Sequence, residues 1–109
     1  MHARVSTYEL SADKLEDGIR SFREATDRIR ALDGNNEVIL LVDRENGQAV
    51  TITVWEDAQT MLASRVPASR ARSDAARAAD GEVKSSCEYE VVIHEQGTPA
   101  EPFLDTGLT

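Results

Sequence analysis

The stretch EVILLVDRENGQAVTITVWED (Glu37 to Asp57) decides how this chain folds. Its first part is continuously apolar from Val38 to Val42, and its last part alternates, with Val50, Ile52 and Val54 set against Thr51, Thr53 and Trp55. A period of two belongs to a strand with unlike faces. Between the two runs, Asn46-Gly47 supplies the positive dihedrals of a hairpin or bulged turn, so the runs are expected to pair as antiparallel neighbours. Glu56 and Asp57 suit the positive end of a helix that follows directly.

Working outward, Ala3 to Tyr8 (ARVSTY) is a short β-prone run and reads as a first strand. Ser11 or Asp13 can cap the next helix, and Asp13 with Glu16 fits a capping box. Leu15, Ile19, Phe22, Ile29 and Leu32 recur at spacings of three, four and seven, one face of a helix that Gly34 would stop. Beyond the hairpin, Pro67 is expected to break or kink the second helix after Val66. The alanine-rich run continues to about Ala79 and ends at Gly81. Val83 to Glu95 is the last strand, with Cys87, Tyr89, Val91 and Ile93 on one face.

The order is β-α-β-β-α-β, the ferredoxin-like α+β arrangement: a four-stranded antiparallel sheet with two helices on one face. With 109 residues, the chain makes one domain, 1–96, and an irregular tail, 97–109. The run from Val38 to Val42 is apolar on both faces, and Val50, Ile52 and Val54 point away from Trp55. One apolar face therefore needs a partner, and a homodimer through the sheet is expected.

The net charge of −8 argues against nucleic acid and against an anionic membrane surface. Cys87 is the single cysteine, which excludes an internal disulfide. The opening residues lack the apolar core of a secretory signal and no run reaches membrane-spanning length, so a soluble cytoplasmic protein is expected. The two histidines lie in no ligand-spaced motif and no glycine-rich phosphate loop occurs; neither a metal nor a cofactor is called for.

The segments LLVDRENGQAVTITVWED and CEYEVVIHE, with this order and length, resemble the dimeric α/β-barrel superfamily and its antibiotic-biosynthesis-monooxygenase-like branch. Members commonly carry a Trp-Glu or Trp-Lys pair where the third strand meets the second helix, here Trp55-Glu56. The resemblance implies a homodimer, a ligand pocket between sheet and helices, and activities such as cofactor-independent oxygenation of phenolic polyketides or haem degradation. The haem-degrading members need an Asn on the first strand and a Trp and a His on the second helix. Aligned positions here are Ala3, Ser64 and Asp74, which turns the reading away from haem. Monooxygenase-like members often carry a His near position 64, where this chain has Ser64-Arg65.

Two functions from different classes follow. One is a pocket protein that binds or oxidises a small aromatic ligand; the other is a non-catalytic dimeric binding or stress-related module. Trp55, Tyr8 and Arg65 are the candidate ligand contacts. Trp55 competes with a reading as a wedge between sheet and helix, its N–H hydrogen-bonded, and Tyr8 with amphipathic packing. Arg65, Arg70, Arg72 and Arg77 make a basic segment on the pocket-bordering helix, where one or two could hold an anionic ligand; a solvated face is the alternative. His94 is an outside candidate for a general base, against a solvated strand end. Cys87 reads as a buried inert thiol, and His2 as part of a disordered start.

Overall fold

A computed structural model of the chain describes residues 1–98, so the tail assigned to 97–109 falls almost entirely outside the described residues. The elements in order are β1 (His2–Glu9), a 3₁₀ turn (Ala12–Lys14), α1 (Leu15–Arg30), β2 (Asn35–Asp43), β3 (Gln48–Trp55), α2 (Ala58–Ala63), α3 (Arg65–Ala78) and β4 (Glu82–Glu90). The sheet order is β2-β3-β1-β4 with every neighbouring pair antiparallel. This is the ferredoxin-like α+β fold, its second helix divided in two.

The hairpin forms as its pattern requires. Ile39 lies opposite Ile52 and Leu41 opposite Val50, and Gly47 takes a φ of +64° at the turn. Arg4, Ser6 and Tyr8 of β1 and Ala49, Thr51, Thr53 and Trp55 of β3 lie on the helix side, all buried. The core there is built from Tyr8, Leu15, Phe22, Ile29, Trp55, Met61 and the alanines of α3. The ring of Tyr8 meets Phe22 edge-on, with centroids 5.0 Å apart. On the reverse face, Ile39 and Leu41 are exposed and Val50 and Ile52 half-buried.

Five local expectations are corrected. The Asp13–Glu16 capping box does not form: Ser11 Oγ donates to Asp13 Oδ1, the 3₁₀ turn intervenes, and α1 begins without a side-chain cap. The second helical region breaks at Ser64 rather than after Val66. Pro67 then falls in the first turn of α3, where a missing N–H costs nothing because it would have no intrahelical acceptor. β4 ends at Glu90 instead of Glu95. Val91 N still donates to Met1 O at 2.9 Å, but the residues after it are not part of the ladder. His2 is not disordered; it opens β1, between Trp55 of β3 and Glu90 of β4. Cys87 is exposed, because β4 is an edge strand and no layer among the described residues covers its reverse face.

Candidate functional site

The part of the sheet–helix interface between α3 and the β1–β4 side is polar. Register places Arg4 opposite Glu88 and Ser6 opposite Ser86. Arg65, Ser69 and Arg72 follow at spacings of four and three on α3 and share one helical face. These side chains, Arg4, Arg65, Ser69, Arg72, Ser86 and Glu88, line a cleft of about 370 Å³. That lies within the range of small-molecule sites, roughly 300–1,000 Å³.

Glu88 is the hub. Its Oε2 accepts Arg4 Nη2 at 2.7 Å, Arg4 Nε at 3.1 Å and Arg65 Nε at 3.1 Å, while Oε1 accepts Arg65 Nη2. Hydrogen bonds from Arg65 first, and then from Arg4 with the charge of both guanidinia, hold its carboxyl at about 2, against a partial penalty from burial. Arg4 completes its set through Ser64 Oγ at 3.1 Å and Met61 O at 2.8 Å. It thereby clamps β1 to the break between α2 and α3, where Ser64 Oγ also donates to Met61 O at 2.6 Å. The Arg4 guanidinium lies 6.0 Å from the centre of the Trp55 ring, within cation–π range.

Arg72 differs. It is only 5% exposed, and its Nε and Nη1 have no hydrogen-bond partner among the described residues. Burial pushes its guanidinium below the ordinary value, nearby Arg4 adds to the fall, and Tyr8 and Glu88 oppose it. A guanidinium starts so far above neutrality that it stays cationic at pH 7.

Of the residues singled out from sequence, Arg65 lies on the rim of this cleft. Trp55 is 0% exposed beneath Arg4, and its Nε1 donates to Thr53 Oγ1 at 3.0 Å. Tyr8 is buried on the same side of the sheet, its hydroxyl 2.6 Å from Thr51 Oγ1; burial raises its pKa, and the Thr51 bond works against that rise. His94 is placed elsewhere: its Nε2 is 3.6 Å from Glu37 Oε1 on β2, the opposite edge from β4. Arg4, Ser86 and Glu88 went unrecognised in the sequence, since two residues 84 positions apart meet only through strand register. Other cavities among the described residues include two lined by different side chains, apart from Ser64, which borders the second. One, of 500 Å³, runs between α1 and β2 over Ile19, Phe22, Val38 and Leu40; the other, of 330 Å³, lies between Leu32 and α2.

No family model matches the chain. Two uncharacterised proteins from strains of Mycobacterium tuberculosis, CDC 1551 / Oshkosh and ATCC 25618 / H37Rv, are each 28% identical over 97 residues, 88% of this chain. The chain spans less than half, 43%, of either relative. Among solved structures, a provisionally named antibiotic biosynthesis monooxygenase from Deinococcus radiodurans superposes with a TM-score of 0.71, at 16% identity, over 91% of this chain and 100% of that one. SnoaB, a cofactor-independent oxygenase from Streptomyces nogalater, superposes with a TM-score of 0.61, at 17% identity, over 91% and 97%. These likenesses establish a shared fold with antibiotic-biosynthesis-monooxygenase-like structures.

Proposed function

We propose that this chain is a small-molecule-binding protein whose ligand enters the cleft between α3 and the β1–β4 side of the sheet, and that it acts as a homodimer. The carrying observation is the polarity of a layer that would ordinarily be apolar core. Buried Arg4 and Arg72 line a 370 Å³ space together with Ser86 and Glu88, and buried Ser6 backs Ser86 through a 2.9 Å hydroxyl–hydroxyl hydrogen bond. Arg65 forms the rim, while Trp55 and Tyr8 are buried outside the lining, Trp55 with its ring 6.0 Å from the Arg4 guanidinium. Among the described residues lining the cleft there is no histidine or cysteine. Binding is therefore the leading reading, and His94 stays outside its chemistry.

The test is to plug the cleft. Any ligand that raises the Tm of the wild-type protein in a fragment screen should lose that effect in Ser69→Phe, which projects a ring from α3 across the opening. Full retention of the shift by Ser69→Phe would move the site elsewhere. A second reading, cofactor-independent oxygenation of a phenolic compound, is supported by the likeness to SnoaB. Consumption of dissolved oxygen with such a compound, abolished by the same substitution, would establish it. Unchanged oxygen in the presence of a bound ligand would leave binding alone. No helix among the described residues is long and apolar enough to cross a membrane.

A further inference from the structure

The cleft has an unbalanced charge set. Among the described residues lining it, Arg4, Arg65 and Arg72 face a single carboxylate, Glu88. Both oxygens of that carboxylate are already engaged, by four donors from Arg4 and Arg65. Arg72 is thus shut out of the pairing, although it is 5% exposed and two of its nitrogens have no partner among the described residues. Buried charges in folded proteins are paired or bound to an ion, because an unmet charge away from water is costly. Arg72 also lies on the wall of a cavity rather than in closed packing, with Ser69 and Ser86 lining the same space.

We infer that the cleft takes a small organic anion, with a carboxylate or phosphate group anchored on Arg72 and flanked by the hydroxyls of Ser69 and Ser86. This rests on the cleft being the ligand site and names the class of ligand. A flat aromatic guest finds little to stack on, since Trp55 and Tyr8 are 0% and 1% exposed. A nucleic-acid strand is excluded by the size of the cleft and by repulsion from a chain of net charge −8. Two uncompensated positive charges favour a doubly charged guest over a singly charged one. Planar guanidinium groups match carboxylate and phosphate oxygens alike, so the source of the anion is left to the experiment.

The experiment is a titration of ¹⁵N-labelled protein with succinate, inorganic phosphate and, as a neutral probe, phenol, at constant ionic strength, read by amide and arginine Nε–H resonances. Saturable shifts of Arg72 Nε–H and of the Ser69 and Ser86 amides with succinate or phosphate are expected, and whichever anion binds more tightly identifies the headgroup. Arg72→Met should weaken that binding about 10- to 100-fold, the loss of a hydrogen bond to a charged group. Its Tm should not fall, because the uncompensated charge goes with the ligand anchor. Arg72→Lys, which keeps the charge without the fork, should bind with intermediate affinity. Shifts that phenol alone produces would overturn the anionic class while sparing the cleft. Shifts with none of the three probes would overturn both. Succinate or phosphate binding unchanged in Arg72→Met would overturn the assignment of the anchor.

Discussion

Glu88 stands between two guanidinia and holds its proton only near pH 2, far below the ordinary 4.5. A carboxyl depressed on folding contributes stability above its unfolded pKa and loses it as pH falls through the folded one. The contribution is therefore full at pH 5 and disappears between about 4.5 and 2. With Glu88 21% exposed, solvent screening leaves an effect on the order of 1–2 kcal/mol. Glu88→Gln should lower stability by about that much at pH 7 and flatten the acid limb of a urea-denaturation series. An unchanged acid limb would mean that the Arg4–Glu88–Arg65 cluster is loose in solution. Trp55 makes a separate prediction. Trp55→Phe removes the donor to Thr53 Oγ1 and leaves space under Arg4, at a cost of about 1–3 kcal/mol measured by chemical denaturation. The sequence offered closure of the strand–helix seam as one of two readings of Trp55, because that role follows from position. It could not show that the ring supports a cation, because Arg4 reaches it only once β1 lies beside β3.

At the scale of elements, the approach of α1 to α3 is set by small residues. A Cβ on Gly18 would lie 2.7 Å from the Cβ of Ala79, too close for the two helix ends to keep their spacing. Gly18→Ala gains about 1 kcal/mol of helix propensity but forces an overpacked contact costing typically 1–3 kcal/mol. The clash should win, giving a net loss of stability. Gly18→Ala combined with Ala79→Gly should recover part of it, and a double-mutant cycle on denaturation midpoints measures the coupling. Simple additivity would show that the helices can slide apart freely. The alanine-rich composition announced helix, yet the break at Ser64 was not legible, because Pro67 drew the expected break to a point after Val66, two residues downstream. What decides it is a tertiary contact: Arg4 bonds both Met61 O and Ser64 Oγ across the end of α2. Local propensity carries no record of such a partner. The same holds for the cleft, whose helix half was visible as an arginine run while its strand half was hidden in unremarkable serines and a glutamate.

For the whole molecule, the question is what covers the reverse face of the sheet. That face was readable in advance, because a strand with apolar residues at every position cannot hide them all in a two-layer domain. Ile39 and Leu41 are 40% and 49% exposed, Tyr89 is 54% exposed, and half-buried Val50 and Ile52 lie between them. A second copy would cover these residues through a two-fold contact in which the same patch serves both subunits. Light scattering should therefore give twice the chain mass at micromolar concentration. Ile39→Glu with Leu41→Glu places carboxylates where each subunit would have to desolvate them. In the isolated chain both positions are exposed, so the fold should tolerate the change, with unaltered far-ultraviolet circular dichroism. In the dimer the charges would be buried against apolar surface, weakening association by at least about 100-fold, or about 2.7 kcal/mol. A wild-type protein that stays monomeric at high concentration would refute the dimer outright. A dimer indifferent to both carboxylates would move its interface off this face. The anion cleft lies on the helix side, so the monomeric variant should still bind succinate or phosphate. Loss of that binding on dissociation would instead mean that a partner subunit completes the site.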